Sequence, residues 1–91
     1  MAQRITVHFP PGRDNDFYFR VFCWADDTLH PAIERPGIGV IHDIDRVRDT
    51  VRIDVHKRQD LGRVLGLVKK TLARQFPGGE GTIVRGDAVA G

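Results

Sequence analysis

Phe17-Tyr18-Phe19-Arg20-Val21-Phe22-Cys23-Trp24 is the stretch on which the fold turns. It is aromatic and β-branched, and a period of two places Phe17, Phe19, Val21 and Cys23 on one side, which reads as a strand. The other side carries Tyr18, Phe22 and Trp24 with only Arg20 among them. Such a strand is either central and covered on both faces or offers an apolar patch to a partner.

Upstream, Arg13 to Asp16 reads as a turn, and Pro10-Pro11-Gly12 ends an earlier strand, Gln3 to Phe9, in which Ile5, Val7 and Phe9 alternate with polar residues. Downstream, Asp26-Asp27-Thr28 suits the start of a short helical turn, but Pro31 and Pro36-Gly37 exclude a long helix and leave residues 25–37 as a connection. Ile38 to Val47 and Thr50 to His56 then form a hairpin about Arg48-Asp49. Pairing about that turn puts Val40, Ile44, Val51, Ile53 and Val55 on one face, with Ile41, Asp43, Asp45, Arg52, Asp54 and His56 on the other.

After Gln59-Asp60, a cap signal, Leu61, Val64, Leu65, Val68, Leu72 and Phe76 recur at helical spacing until Pro77-Gly78-Gly79. Thr82 to Arg85 forms a last strand and residues 86–91 a loose tail. The expected order is β-β-β-β-α-β. That order specifies an α+β two-layer sandwich, with an antiparallel or mixed sheet of about five strands and one long helix on one face. The 91 residues suffice for one domain over 1–85, because a chain this short supports a single core. Around Asp60-Leu61-Gly62-Arg63-Val64-Leu65 the chain resembles the strand-to-helix step of ACT-type regulatory domains. The turn lacks Pro-Gly, and the expected order has one long helix where that family has two, so no family is assigned.

Composition excludes several chemistries. Serine is absent, which removes hydrolysis by a serine triad. The single cysteine, Cys23, has no partner for an internal disulfide and reads as a small core hydrophobe. No apolar run is long enough to cross a bilayer and no signal-peptide core opens the chain, so the expected location is cytoplasmic. P-loop, dinucleotide, paired-cysteine and ribonucleoprotein motifs are missing, and His8, His30 and His42 lack zinc-site spacing. Neither a cofactor nor a metal is expected, and an enzyme is less expected than a binding module.

Three features bear on function. Arg63, Lys70 and Arg74 fall within about 40° of one another on the helix surface, and with Lys57 and Arg58 they form a basic surface suited to nucleic acid. Gly62, Gly66 and Ala73 line a small-residue strip that suits close packing against the sheet, or against another helix across a dimer. Asp43 opposite Asp54, with His56 nearby, suits acid–base chemistry or a divalent cation. The leading expectation is a non-catalytic interaction or regulatory module that binds a protein partner, as a homodimer, through Tyr18, Phe22, Trp24 and Leu67. Nucleic-acid binding through the basic helix is the alternative, and a metal-assisted enzyme the third.

Overall fold

The computed structural model describes residues 3–42 and 44–87. Its elements are β1 (Gln3–His8), α1 (Asn15–Cys23) running directly into a π-helical segment (Trp24–Glu34), β2 (Gly39–Ile41), β3 (Thr50–Val55), a 3₁₀ turn (Arg58–Asp60), α2 (Leu61–Gln75) and β4 (Thr82–Asp87). All neighbouring strands are antiparallel, in the order β2-β3-β1-β4. This is the split β-α-β, ferredoxin-like arrangement.

The α+β class is as expected, but the sheet has four strands and the stretch that decided the expectation is a helix. Asp14 accepts a hydrogen bond from the Phe17 backbone N–H at 2.9 Å and caps it. Phe17, Val21 and Trp24 are buried, and their spacing of four and three is that of one helical face. Aromatic and β-branched content favours strands only weakly, and the cap and this core-facing stripe override it.

Pro31 does not end the helix either. Arg35 and Ile38 donate to the carbonyls of His30 and Ile33, at 3.1 and 2.9 Å, five residues back instead of four. Proline removes one donor and crowds the carbonyl four residues earlier, and the wider coil accommodates both effects. Leu29 and Ile33 thereby join the core.

Both helices cover one face of the sheet. Ile5 and Val7 of β1 and Val51, Ile53 and Val55 of β3 are fully buried there, beneath Leu61, Val64, Val68 and Leu72 of α2. An aromatic group closes one end: Phe76 lies 5.3 to 6.1 Å from the ring centres of Phe9, Phe17 and Trp24. The Trp24 indole N–H donates to the Thr71 hydroxyl at 2.9 Å, and that hydroxyl donates to the Leu67 carbonyl at 2.8 Å. A polar atom is thus satisfied inside the core, as burial requires.

The hairpin register differs from expectation. Val40 faces Asp54 and Ile41 faces Ile53, while Asp45 bridges to Thr50. The Asp45 side chain accepts from the backbone N–H groups of Val47 and Arg48 at 3.0 and 3.1 Å, so an aspartate-closed turn replaces the two-residue one. Val40 therefore lies on the solvent side, Ile41 and Ile44 pack against the core, and Asp45 does not face Arg52. Gly39 is required where it stands, because a Cβ there would lie 2.3 Å from the Asp54 carbonyl oxygen. Gly86 and Asp87, expected in the tail, belong to β4.

Candidate functional site

The outer face of α2 is cationic. Arg63, Lys69, Lys70 and Arg74 are exposed, as are Lys57 and Arg58 just before the helix. No acidic residue occurs from Leu61 to Gly79, and among the described residues none of these six cations has an ion-pair or hydrogen-bond partner for its side chain. Three arginines elsewhere are engaged within the fold. Arg4 is paired with Asp54, Arg20 donates to the Gln75 carbonyl and lies over Phe76, and Arg46 donates to Asn15 and lies over Tyr18. From Arg63 to Arg74 the cationic row extends about 16 Å at the helical rise.

Between Lys69 on one side and Arg63, Lys70 and Arg74 on the other runs the strip Gly62, Gly66 and Ala73, all exposed. A Cβ at Gly62 or Gly66 would meet nothing within 4 Å. The expected tight approach to the sheet is therefore absent, and α2 offers bare backbone flanked by positive charge.

Three of the four residues expected to meet a protein partner are occupied internally. Trp24 is 1% exposed and sits in the core, because residues 17–24 coil and turn it inward. Tyr18 donates to the Asp49 carboxylate, tying α1 to the β2–β3 turn, and that bond raises the phenol pKa. Leu67 packs against the core beside Ala32, Ile33 and Ile38. Only Phe22 is open, at 54% exposure. Phe19, which a strand would have turned inward beside Phe17, is 65% exposed next to it. The missed signal was the Phe17/Val21/Trp24 spacing, which leaves Phe19 and Phe22 on the opposite side. Phe22 also borders a small cleft of about 70 Å³ with Val21, Ala25, Ile41 and Ile44, rimmed by Asp26, His30, Glu34 and His42.

On the uncovered sheet face, Arg4 grips Asp54 with Nε and Nη2 at 2.7 and 3.0 Å, and His42 Nε2 lies 2.8 Å from the same carboxylate. The Arg4 bonds, aided by His42, hold the Asp54 pKa at about 2 despite partial burial. A carboxylate this acidic is a poor proton acceptor near neutral pH. His30, 2.7 Å from Glu34 through Nδ1, lowers the Glu34 pKa in the same way. Of the residues expected to support a metal-assisted enzyme, Asp54 is engaged by Arg4 and His42, His56 is exposed, and Asp43 lies outside the described residues. No group of three or more potential ligands for a metal occurs among the described residues. The cluster was missed because the assumed register set Asp54 opposite Asp43 and left Arg4, on a non-consecutive strand, unconsidered.

Comparison with family models, curated proteins and solved structures found no match to this chain. The second helix removes one objection to an ACT-type assignment, but the ferredoxin-like topology hosts many unrelated functions and carries none by itself. No described helix is long and apolar enough to cross a membrane.

Proposed function

We propose that this chain is a non-catalytic binding module whose α2 surface takes the phosphate backbone of a nucleic acid. The observation that carries the reading is the run of six exposed cations without internal partners, on and just before a helix that has no acid. Unpaired cations that neutralise phosphates release the counterions condensed on the chain into solution, which is the sequence-independent part of nucleic-acid affinity. The exposed glycine backbone between the cationic rows lets such a chain approach α2 closely. The test is binding of a labelled DNA duplex by anisotropy at several salt concentrations. With three phosphate contacts from Arg63, Lys70 and Arg74, affinity falls about 40-fold between 50 and 200 mM salt. The triple Arg63→Ala, Lys70→Ala, Arg74→Ala variant should bind weakly and lose nearly all of this salt response. Unchanged affinity and slope in that variant overturn the reading.

A protein partner is the second reading, supported by Phe19 and Phe22 side by side and exposed on α1. Adjacent exposed aromatics are common anchors of protein contacts. A photo-crosslinker placed at position 22 should yield one discrete heteromeric adduct in cells, and the absence of any adduct removes this reading.

A further inference from the structure

The two edges of the sheet are finished differently. At β2 the π-helical segment closes the edge: Ile38 donates to the Ile33 carbonyl at 2.9 Å, and the Ile41 backbone N–H hydrogen-bonds the Glu34 carboxylate. At β4 all six residues pair with β1, and among the described residues nothing pairs on the other side. Open edges of this length are templates for another strand.

The hydrogen-bond alternation shows which groups wait there. His42 donates to the Arg52 carbonyl and His56 to the Ile38 carbonyl, so the even-numbered residues of β3 bond to β2 and the odd ones to β1. Carried across the antiparallel registers, the alternation directs Thr82, Val84 and Gly86 towards β1, and the backbone N–H and C=O of Ile83 and Arg85 outward.

We infer that a second copy of this chain occupies the β4 edge, antiparallel, with the two-fold axis between the two Val84 residues. In this register Ile83 and Arg85 of one copy exchange both backbone hydrogen bonds with Arg85 and Ile83 of the other. Val84, 49% exposed, meets its own copy as a close, non-hydrogen-bonded pair on the open face. Moving the axis one residue towards the C-terminus would set Arg85 directly against Arg85, which like charge disfavours, and moving it one residue the other way would set Arg85 against Gly81, outside β4, whereas the chosen register keeps both outward residues of each strand paired, Arg85 beside Ile83. The strand is thus complementary to itself in hydrogen bonding and apolar contact, with no like charges directly opposed, as a two-fold contact demands. The product is a continuous eight-stranded sheet. Equivalent residues share a face across the axis, so both α2 helices lie on one side and a single nucleic-acid segment can reach two cationic surfaces. The dimer itself stands independently of the nucleic-acid reading.

Light scattering on the purified chain should give twice the 10.2 kDa mass. Two substitutions should return it to one copy with the melting curve of a folded protein: Arg85→Pro, which removes only an outward N–H and is tolerated at an edge, and Val84→Lys, which sets like charges at the axis. Val84→Cys should form a disulfide-linked dimer under mild oxidation, because Cα atoms of a non-hydrogen-bonded pair lie about 4.5 Å apart, within disulfide reach. Thr82→Cys, opposite Gly86 of the other copy, should not. A monomeric mass for the unsubstituted chain overturns the inference, as does a dimer that survives both substitutions and gives no Val84→Cys linkage.

Discussion

Replacing Asp54 by Asn tests the open sheet face and the register that builds it. Asp54 and Arg4 are each 18% exposed at the side chain, so their bidentate contact is shielded more than an ordinary surface pair, which contributes little. The carboxyl titrates at about 2 when folded, against 3.8 without partners, a difference equivalent to about 2 kcal/mol at neutral pH. Because the folded pKa is the lower one, this stabilisation is fully present above about pH 4.5 and disappears as the pH falls through 4 towards 2. Asp54→Asn should therefore destabilise the chain by about 2 kcal/mol at pH 7, a drop in Tm of roughly 8 to 16 °C for a domain of this size. The deficit should shrink towards zero by pH 2. Urea denaturation followed by circular dichroism at pH 7, 4 and 2.5 reads both quantities. A variant within 0.5 kcal/mol of the original at pH 7, or an equal deficit at every pH, would refute the argument that Arg4 and His42 converge on this carboxylate.

Two further substitutions probe the helix at 17–24. Val21→Ala, at a fully buried position, should cost about 2 kcal/mol, while Phe19→Ser, at an exposed one, should change stability by no more than about 0.5 kcal/mol; comparable costs at both positions in a urea titration would restore the strand. Thr71→Val should cost about 1 to 3 kcal/mol by leaving the Trp24 indole N–H buried without an acceptor, and an unaltered denaturation midpoint would show that the indole finds another partner.

Elements whose apolar period was clean were legible in the sequence. α2 and β1 appear within a residue or two of their expected bounds, because a stripe of Leu61, Val64, Val68 and Leu72, or an alternation of Ile5 and Val7, admits one solution. Residues 17–24 were not, because Phe17, Phe19, Val21 and Cys23 satisfy a period of two while Phe17, Val21 and Trp24 satisfy a helical one. The deciding signal was Asp14, whose cap lies outside the ambiguous stretch. Pro31 misled for a different reason: the cost of proline was weighed for an α-helix, and a coil with bonds five residues apart avoids much of it. The Asp54 cluster depends on which strands are neighbours, and β1 meets β3 only because α1 is a helix that carries the chain across the sheet. One local misreading therefore removed both a helix and the side-chain cluster that its topology creates.

The charge distribution then separates the two sides of the sheet. On the open face Arg4 and His42 share Asp54, so these two basic groups are answered within the fold. The α2 side has no such answer: its acids are absent from the sequence between Leu61 and Gly79, and the two central strands beneath it present the apolar Ile5, Val7, Val51, Ile53 and Val55. Helix stability alone does not call for this arrangement. The C-terminal dipole favours Arg74 and Lys70, but it disfavours cations in the first turn, where Arg63 stands and where acids would stabilise. Gly62 and Gly66 add a cost of roughly 1 kcal/mol each relative to Ala, with no packing contact to offset it. A surface that departs from helix preference in charge and in backbone at the same positions is what the proposed nucleic-acid reading calls for, because a phosphate backbone would answer both departures.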